Sequence, residues 1–182
     1  MLELRKLDWP TDRAAVIALD TSYVADRRLR LDLTARCATL VEDVLPELVH
    51  RTYGLVDIVE KLADHAWVRV ANQGAEIAGL AALSFEPWNR RARLEHLYVA
   101  KQARRQGVGR ALVEAAVQAA RALGARGVWV ETQTTNYPAV LFYEQVGFRW
   151  CGLDSSLYDP QIVTDDEVGI FFWRDLGERR AR

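Results

Sequence analysis

The chain is poor in every residue pattern that would mark a metal protein, a disulfide scaffold, a membrane protein or a nucleic-acid binder. There are two cysteines, Cys37 and Cys151, far apart in sequence. They form neither a metal-ligand spacing nor a disulfide framework, and a buried structural role is expected for each. The three histidines, His50, His65 and His96, show no paired metal spacing either, so no metal is expected. Basic residues do not outnumber acidic ones, 24 against 25, giving a net charge of -1, which argues against a nucleic-acid partner. The one basic end, Arg179-Arg180-Ala181-Arg182, reads as a solvated terminus. No apolar run is long enough to span a bilayer, and Met1-Leu2-Glu3-Leu4-Arg5-Lys6 lacks the apolar core of a signal peptide. Repeats, low-complexity stretches and internal linkers are all missing. The expectation is a cytoplasmic protein folded as one domain over residues 1–182, with half its residues hydrophobic.

What is present is a series of strand and helix periods. Leu2 to Leu7 alternates and predicts a strand; Thr11 or Asp12 can then cap a helix carrying Ala15, Val16, Ile17 and Leu19. Tyr23 to Thr39 is charged and irregular, and the alternation of Leu29, Leu31 and Leu33 allows an extended arm. Leu55, Ile58, Val59 and Leu62 recur at helical spacing over Leu55 to Asp64. Residues 66–71 and 76–85 form a hairpin around Asn72-Gln73-Gly74, and Arg93 to Val99 is a further strand. A helix runs from Gly107 to about Leu123, its apolar face drawn through Val108, Leu112, Ala115, Ala116, Ala119 and Leu123, with Gly124 as its stop. After a short strand at Gly127 to Thr132, Pro138 fits the first turn of a helix ended by Gly147. Two strands close the chain, around Phe148 to Gly152 and Val168 to Trp173. This order predicts an α/β fold, α+β in some schemes, with a mixed sheet.

The chemistry concentrates between the Arg93–Val99 strand and the following helix. Gly107 and Gly109 let the backbone approach a ligand closely, and the first N–H groups of a helix are unpaired and attract an anion. Arg104, Arg105 and Arg110 add charge suited to phosphate oxygens. A dinucleotide loop would need a third glycine, and a P-loop would need Gly-Lys-Ser/Thr; Arg110-Ala111-Leu112 supplies neither.

With Leu97-Tyr98-Val99, Arg104-x-x-Gly107-x-Gly109, Asn136, Tyr143 and Gly147-Phe148 together, the chain resembles the GNAT N-acetyltransferases over roughly residues 66–173. That resemblance implies a splayed mixed sheet flanked by helices, with acetyl-CoA as cosubstrate. It places the acetyl and pantetheine groups on the backbone of Leu97, Tyr98 and Val99. It places the pyrophosphate on the segment Arg105, Gln106, Gly107, Val108, Gly109 and Arg110, flanked by Arg104, and a pantetheine contact on Asn136. Tyr143 matches the tyrosine beside the sulfur and would protonate the leaving thiolate, while the N–H near Val99 would serve the oxyanion. Glu131 and Glu95 are competing candidates for the base. His96 follows Glu95, and strict alternation would put it on the opposite side of the strand.

The segment Cys151-Gly152-Leu153-Asp154-Ser155-Ser156-Leu157-Tyr158-Asp159 with Glu167 to Trp173 resembles streptothricin (nourseothricin) acetyltransferases, whose acceptor is a β-lysine amine. Asp154, Asp159, Asp165, Asp166 and Glu167 could draw in a polycation, and Trp88 and Tyr158 could stack on it. A protein, peptide or polyamine acceptor, a non-catalytic acyl-CoA-binding module and a nucleotide-binding domain stay open, as does a homodimer built on Phe171, Phe172 and Trp173. The first 65 residues show no resemblance.

Overall fold

The computed structural model describes residues 1–163 and 167–177. Asp165, Asp166 and the Arg179-Arg180-Ala181-Arg182 tail lie outside the described residues. The strands are β1 (Leu2–Lys6), β2 (Tyr23–Leu33), β3 (Ala38–Arg51), β4 (Trp67–Gln73), β5 (Glu76–Glu86), β6 (Arg91–Val99), β7 (Gly127–Gln133), β8 (Arg149–Asp154) and β9 (Gly169–Asp175). The helices are α1 (Arg13–Ile17), α2 (Val56–Val59), α3 (Val108–Ala122) and α4 (Tyr137–Gln145). Seven strands form one sheet in the order β1-β4-β5-β6-β7-β9-β8, and β2 and β3 pair with each other. The sheet is mixed: β4–β5 and β5–β6 are antiparallel, whereas β6 and β7 are parallel. By contact density the chain forms two compact units, one of residues 1–22, 52–129 and 174–182, the other of 23–51 and 130–173.

In the first unit, antiparallel pairing runs from β1 through β4 and β5 to β6. Side chains of β5 alternate between two covered faces. Gly79, Ala81 and Leu83 lie on the α3 side, where a Cβ on Gly79 would come within 3.2 Å of Val108 and 2.8 Å of the Tyr98 carbonyl oxygen. That close approach is the reason for a glycine in mid-strand. Leu80 and Ala82 point the other way, and both have no exposed surface. The α3 stripe is Val108, Leu112, Val113, Ala116, Val117 and Ala120. The expected stripe was thus rotated: Ala115 and Ala119 sit at its margin and Leu123 is exposed. Gly124 takes φ 77° past the helix end, where a side chain would be strained.

Two polar clasps fix the N-terminal part of this unit. Arg5 on β1 forms a bidentate pair with Asp12, at 2.6 and 2.7 Å, and Asp12 also accepts the Asp8 N–H at 2.7 Å. Asp12 is therefore not a side-chain cap for α1; its carboxyl is held below the usual carboxylate range chiefly by the Arg5 hydrogen bonds. The buried Thr21 hydroxyl donates to the Tyr53 carbonyl at 2.7 Å and accepts the Tyr53 N–H at 2.9 Å. The chain thus leaves for β2 and returns from β3 through one pinched point. The helix expected over Leu55 to Asp64 is broken into α2 and a single 3-10 turn at Leu62–Asp64, which still buries Leu55, Val59 and Leu62.

In the second unit, β8 and β9 are antiparallel and bury Phe172 and Ile170. The region that reads as an irregular arm is the β2–β3 hairpin, extended on to Arg51. Most of its side chains are at least partly exposed, so no apolar alternation marks β3. Cys37, before β3, and Cys151, on β8, are both exposed, which corrects the buried role expected of them. Among the described residues no helix is long and apolar enough to cross a membrane, and no group of three or more His, Cys, Asp or Glu could hold a metal ion.

Candidate active site

The end of β6 is shaped by one inserted residue. Ala82 pairs with His96 and Leu83 with Leu94, which leaves Glu95 without an opposite number on β5. This is a β-bulge, and it resets the alternation of everything after it. Leu94 shares the α3 side with Leu83; after the bulge Leu97 and Val99 regain that side opposite Ala81 and Gly79. Arg93, His96 and Tyr98 lie on the other side, opposite Ser84, Ala82 and Leu80. Glu95 joins them there: it accepts the Ser84 hydroxyl at 2.6 Å and pairs with Arg93 at 3.0 Å. The expectation that His96 faces away from Glu95 is therefore wrong, because strict alternation does not survive an inserted residue. The parallel ladder with β7 covers Arg91 to Arg93 alone, so Leu97, Tyr98 and Val99 lie beyond its end.

His96 lies within a half-buried row of rings. Its imidazole is 5.2 Å from that of His65 and 6.0 Å from Tyr98, and Tyr98 is 6.1 Å from Tyr53. Burial, reinforced by His65, pushes the His96 imidazole down to about 4. Below the row, Arg91 and Arg93 both lie on the Trp129 ring, at 4.8 and 4.7 Å from its centre. The positive surface of β6 is thereby spent on an aromatic face.

The loop between β6 and α3 has the expected strand–loop–helix form. After a 3-10 turn at Lys101–Ala103, Arg105 takes φ 61° and Gly107 φ 84°, and α3 starts at Val108 with no side-chain cap. Alternating left-handed residues turn successive N–H groups toward one concavity, and the uncapped first turn adds its own. Ala111 N–H closes a helical bond on Gly107 at 2.9 Å, in the first turn of α3. The loop is fastened by Gln106, which donates to the Gln102 carbonyl at 2.7 Å and accepts from Gln73 at 3.0 Å.

Arg104 does something other than line this cradle. Its Nε donates to the Val99 carbonyl at 3.1 Å, Nη1 to Ser22 at 2.6 Å and Nη2 to Thr21 at 2.9 Å. The side chain is a clamp that ties the end of β6 to the pinched Thr21–Tyr53 point. Sequence position alone could not separate a clamp from a phosphate ligand.

In the second unit, Tyr143 on α4 is 7% exposed and packs edge-on against Phe142 and Phe148, with Phe172 tilted beside it. Asn136 caps α4 by accepting the Ala139 N–H at 3.2 Å, so its side-chain oxygen is already engaged there. Glu131 on β7 accepts the Tyr158 hydroxyl, and the Tyr158 hydroxyl is pushed up by burial and by that carboxylate, so it stays a donor. The acidic residues are locally occupied as well. Asp154 accepts from Ser156, Asp159 from the Gln161 N–H, and Glu167 pairs with Arg51 at 3.1 Å. Trp88 is 86% exposed. Glu95, Leu97 to Val99 and the loop at 104–110 thus belong to the first unit, and Glu131, Asn136 and Tyr143 to the second.

With this geometry in hand, known proteins give a consistent comparison. A family model described as the acetyltransferase (GNAT) family matches residues 31–148. A streptothricin acetyltransferase of Streptomyces lavendulae is 33% identical over 156 residues, 82% of each chain. The crystal structure of a nourseothricin acetyltransferase superposes with a TM-score of 0.86 at 31% identity, over 97% of this chain and 99% of that one. A Bacillus anthracis str. Ames protein solved in complex with acetyl coenzyme A gives 0.81 at 28% identity, over 96% and 99%. The likeness therefore extends into the first 65 residues, for which the sequence offered no resemblance.

Replacing Arg104 with methionine should lower stability by about 2–4 kcal/mol, because three carbonyls lose charge-assisted donors. Urea unfolding would measure this. The salt dependence of coenzyme A binding should stay as in the parent protein; a flatter dependence would make Arg104 a phosphate ligand after all.

Proposed function

This chain belongs to the acetyltransferase (GNAT) family, and from that premise we propose that its acceptor is the β-lysine amine of a streptothricin-type antibiotic. It is an acetyl-CoA-dependent acetyltransferase, and the readings as a non-catalytic module or a nucleotide-binding domain fall away. The observation that carries the acceptor assignment is likeness along 97% of the chain to nourseothricin acetyltransferase. The residues 31–148 matched by the family model draw on both compact units, which supports treating residues 1–182 as one catalytic domain. Use of acetyl-CoA fits the cytoplasmic location expected from the sequence.

The left-handed Arg105 and Gly107 and the uncapped start of α3 suit a pyrophosphate. The backbone of Leu97 to Val99, beyond the β7 ladder, suits the thioester and pantetheine amide. Acetyl-CoA supplies an activated acyl group and a thiolate leaving group. Tyr143 is assigned the proton donor to that thiolate by its place in the family motif, and the N–H near Val99 the donor to developing oxygen charge. The base is Glu131 or Glu95; both carry a hydroxyl donor, from Tyr158 and Ser84 respectively.

Acetyl-CoA turnover with streptothricin, compared with lysine peptides and polyamines, tests the acceptor. Streptothricin should show the highest kcat/KM; activity on a peptide with none on streptothricin would transfer the assignment to a peptide amine. Tyr143→Phe should lower kcat by roughly 100-fold or more with acetyl-CoA KM little changed, and an unchanged kcat removes Tyr143 from the reaction. Tyr158→Phe separates the two bases. If Glu131 takes the proton, losing a donor to its charged form moves the acid limb of kcat/KM to higher pH. If Glu95 takes it, the limb stays where it is.

A further inference from the structure

The row of rings on β6 has no role in the assignments above. It consists of His65, His96, Tyr98 and Tyr53, linked at centre distances of 5.2, 6.0 and 6.1 Å, and none of the four is fully buried. His96 and Tyr98 flank Leu97, so their rings lie within about 7 Å along the strand of the backbone assigned to the thioester. The bulge adds Glu95 to the same side. Arg93, on the same side of the strand, pairs with Glu95 and lies on the Trp129 face. The row therefore sets half-exposed rings beside one carboxylate, which is ion-paired to Arg93. That combination attracts an organic cation.

We propose that Tyr53, His65, His96 and Tyr98, with Glu95 beside them, form the seat for the acceptor's ammonium group. This deepens the acetyltransferase reading and rests on it. The acceptor class it specifies is a primary amine on a slender, unbranched chain, since half-exposed rings along a strand receive an extended arm better than a bulky head. Ring faces and the neighbouring carboxylate favour the ammonium over the neutral amine. The seat captures and orients the acceptor and leaves its deprotonation to the base. His96 supports this role by staying neutral: its imidazole titrates at about 4, lowered by burial, by His65 and by Arg93 against the opposing pull of Glu95. At pH 7 it adds no positive charge that would repel the amine.

The test is binding by calorimetry in the presence of saturating coenzyme A, so that it does not depend on turnover. The probes are Nε-trimethyl-lysine methyl ester and the uncharged-tail control norleucine methyl ester. The parent protein should bind the trimethylated probe at least tenfold more tightly than the control. Tyr53→Leu and His96→Leu should each abolish most of that preference, with coenzyme A affinity within twofold, and Tyr53→Phe should keep it. His96→Phe replaces His96→Leu if the latter does not fold. With an acetylatable amine, the leucine variants should raise acceptor KM at least tenfold at constant acetyl-CoA KM. Equal binding of both probes by the parent protein, or leucine variants that bind like the parent, overturns the proposal. Loss of cation binding in the variants, with no amine acetylated by the parent, would sustain the seat and refute the acceptor assignment.

Discussion

One surplus residue in β6 decides what the first unit can do. With Glu95 unpaired, the strand carries Leu94, Leu97 and Val99 to α3 while Arg93, Glu95, His96 and Tyr98 gather on the opposite side. A regular strand would have divided the polar residues between both faces and driven one of them into the α3 interface, where Val108 and Leu112 leave no room. The bulge therefore protects the core and concentrates chemistry in the same stroke. It costs a local break in the ladder, tolerated because α3 and the clamp of Arg104 hold the strand end from other directions.

Several polar side chains around this strand are engaged with neighbours. Arg91 and Arg93 spend their charge on Trp129, Arg104 spends three donors on carbonyls, and Gln106 is tied to Gln102 and Gln73. Backbone groups are directed outward as well: the first N–H groups of α3 and the far end of β6. A site made of main-chain donors is insensitive to side-chain substitution, which leaves surrounding side chains at liberty to vary with the acceptor.

The sequence revealed the parts governed by period and by backbone stereochemistry. The β4–β5 hairpin, the loop before α3, the left-handed Gly124 and the proline-led start of α4 were legible because each has a local cause. The β2–β3 hairpin was not, since strands with few buried side chains carry no apolar alternation to read. An inserted residue such as Glu95 leaves no mark on composition, so the facing of His96 was misread. Cys37 and Cys151 were placed inside on residue type alone, and both are exposed. The clamp made by Arg104 was not legible because its carbonyl partners, Thr21 and Ser22, lie far away in sequence.

The Thr21–Tyr53 clasp has a consequence for how this chain can diversify. A segment that departs and returns through two hydrogen bonds at one point, and that pairs its strands with each other, behaves as a cassette. Its length and composition can drift at small entropic expense, since closing a longer loop adds little once the ends are pinned. Tyr53, at the neck of that cassette, also reaches the ring row on β6. Insertions beyond the neck could then remodel the surface of the protein, while the neck itself holds the reacting amine's surroundings constant.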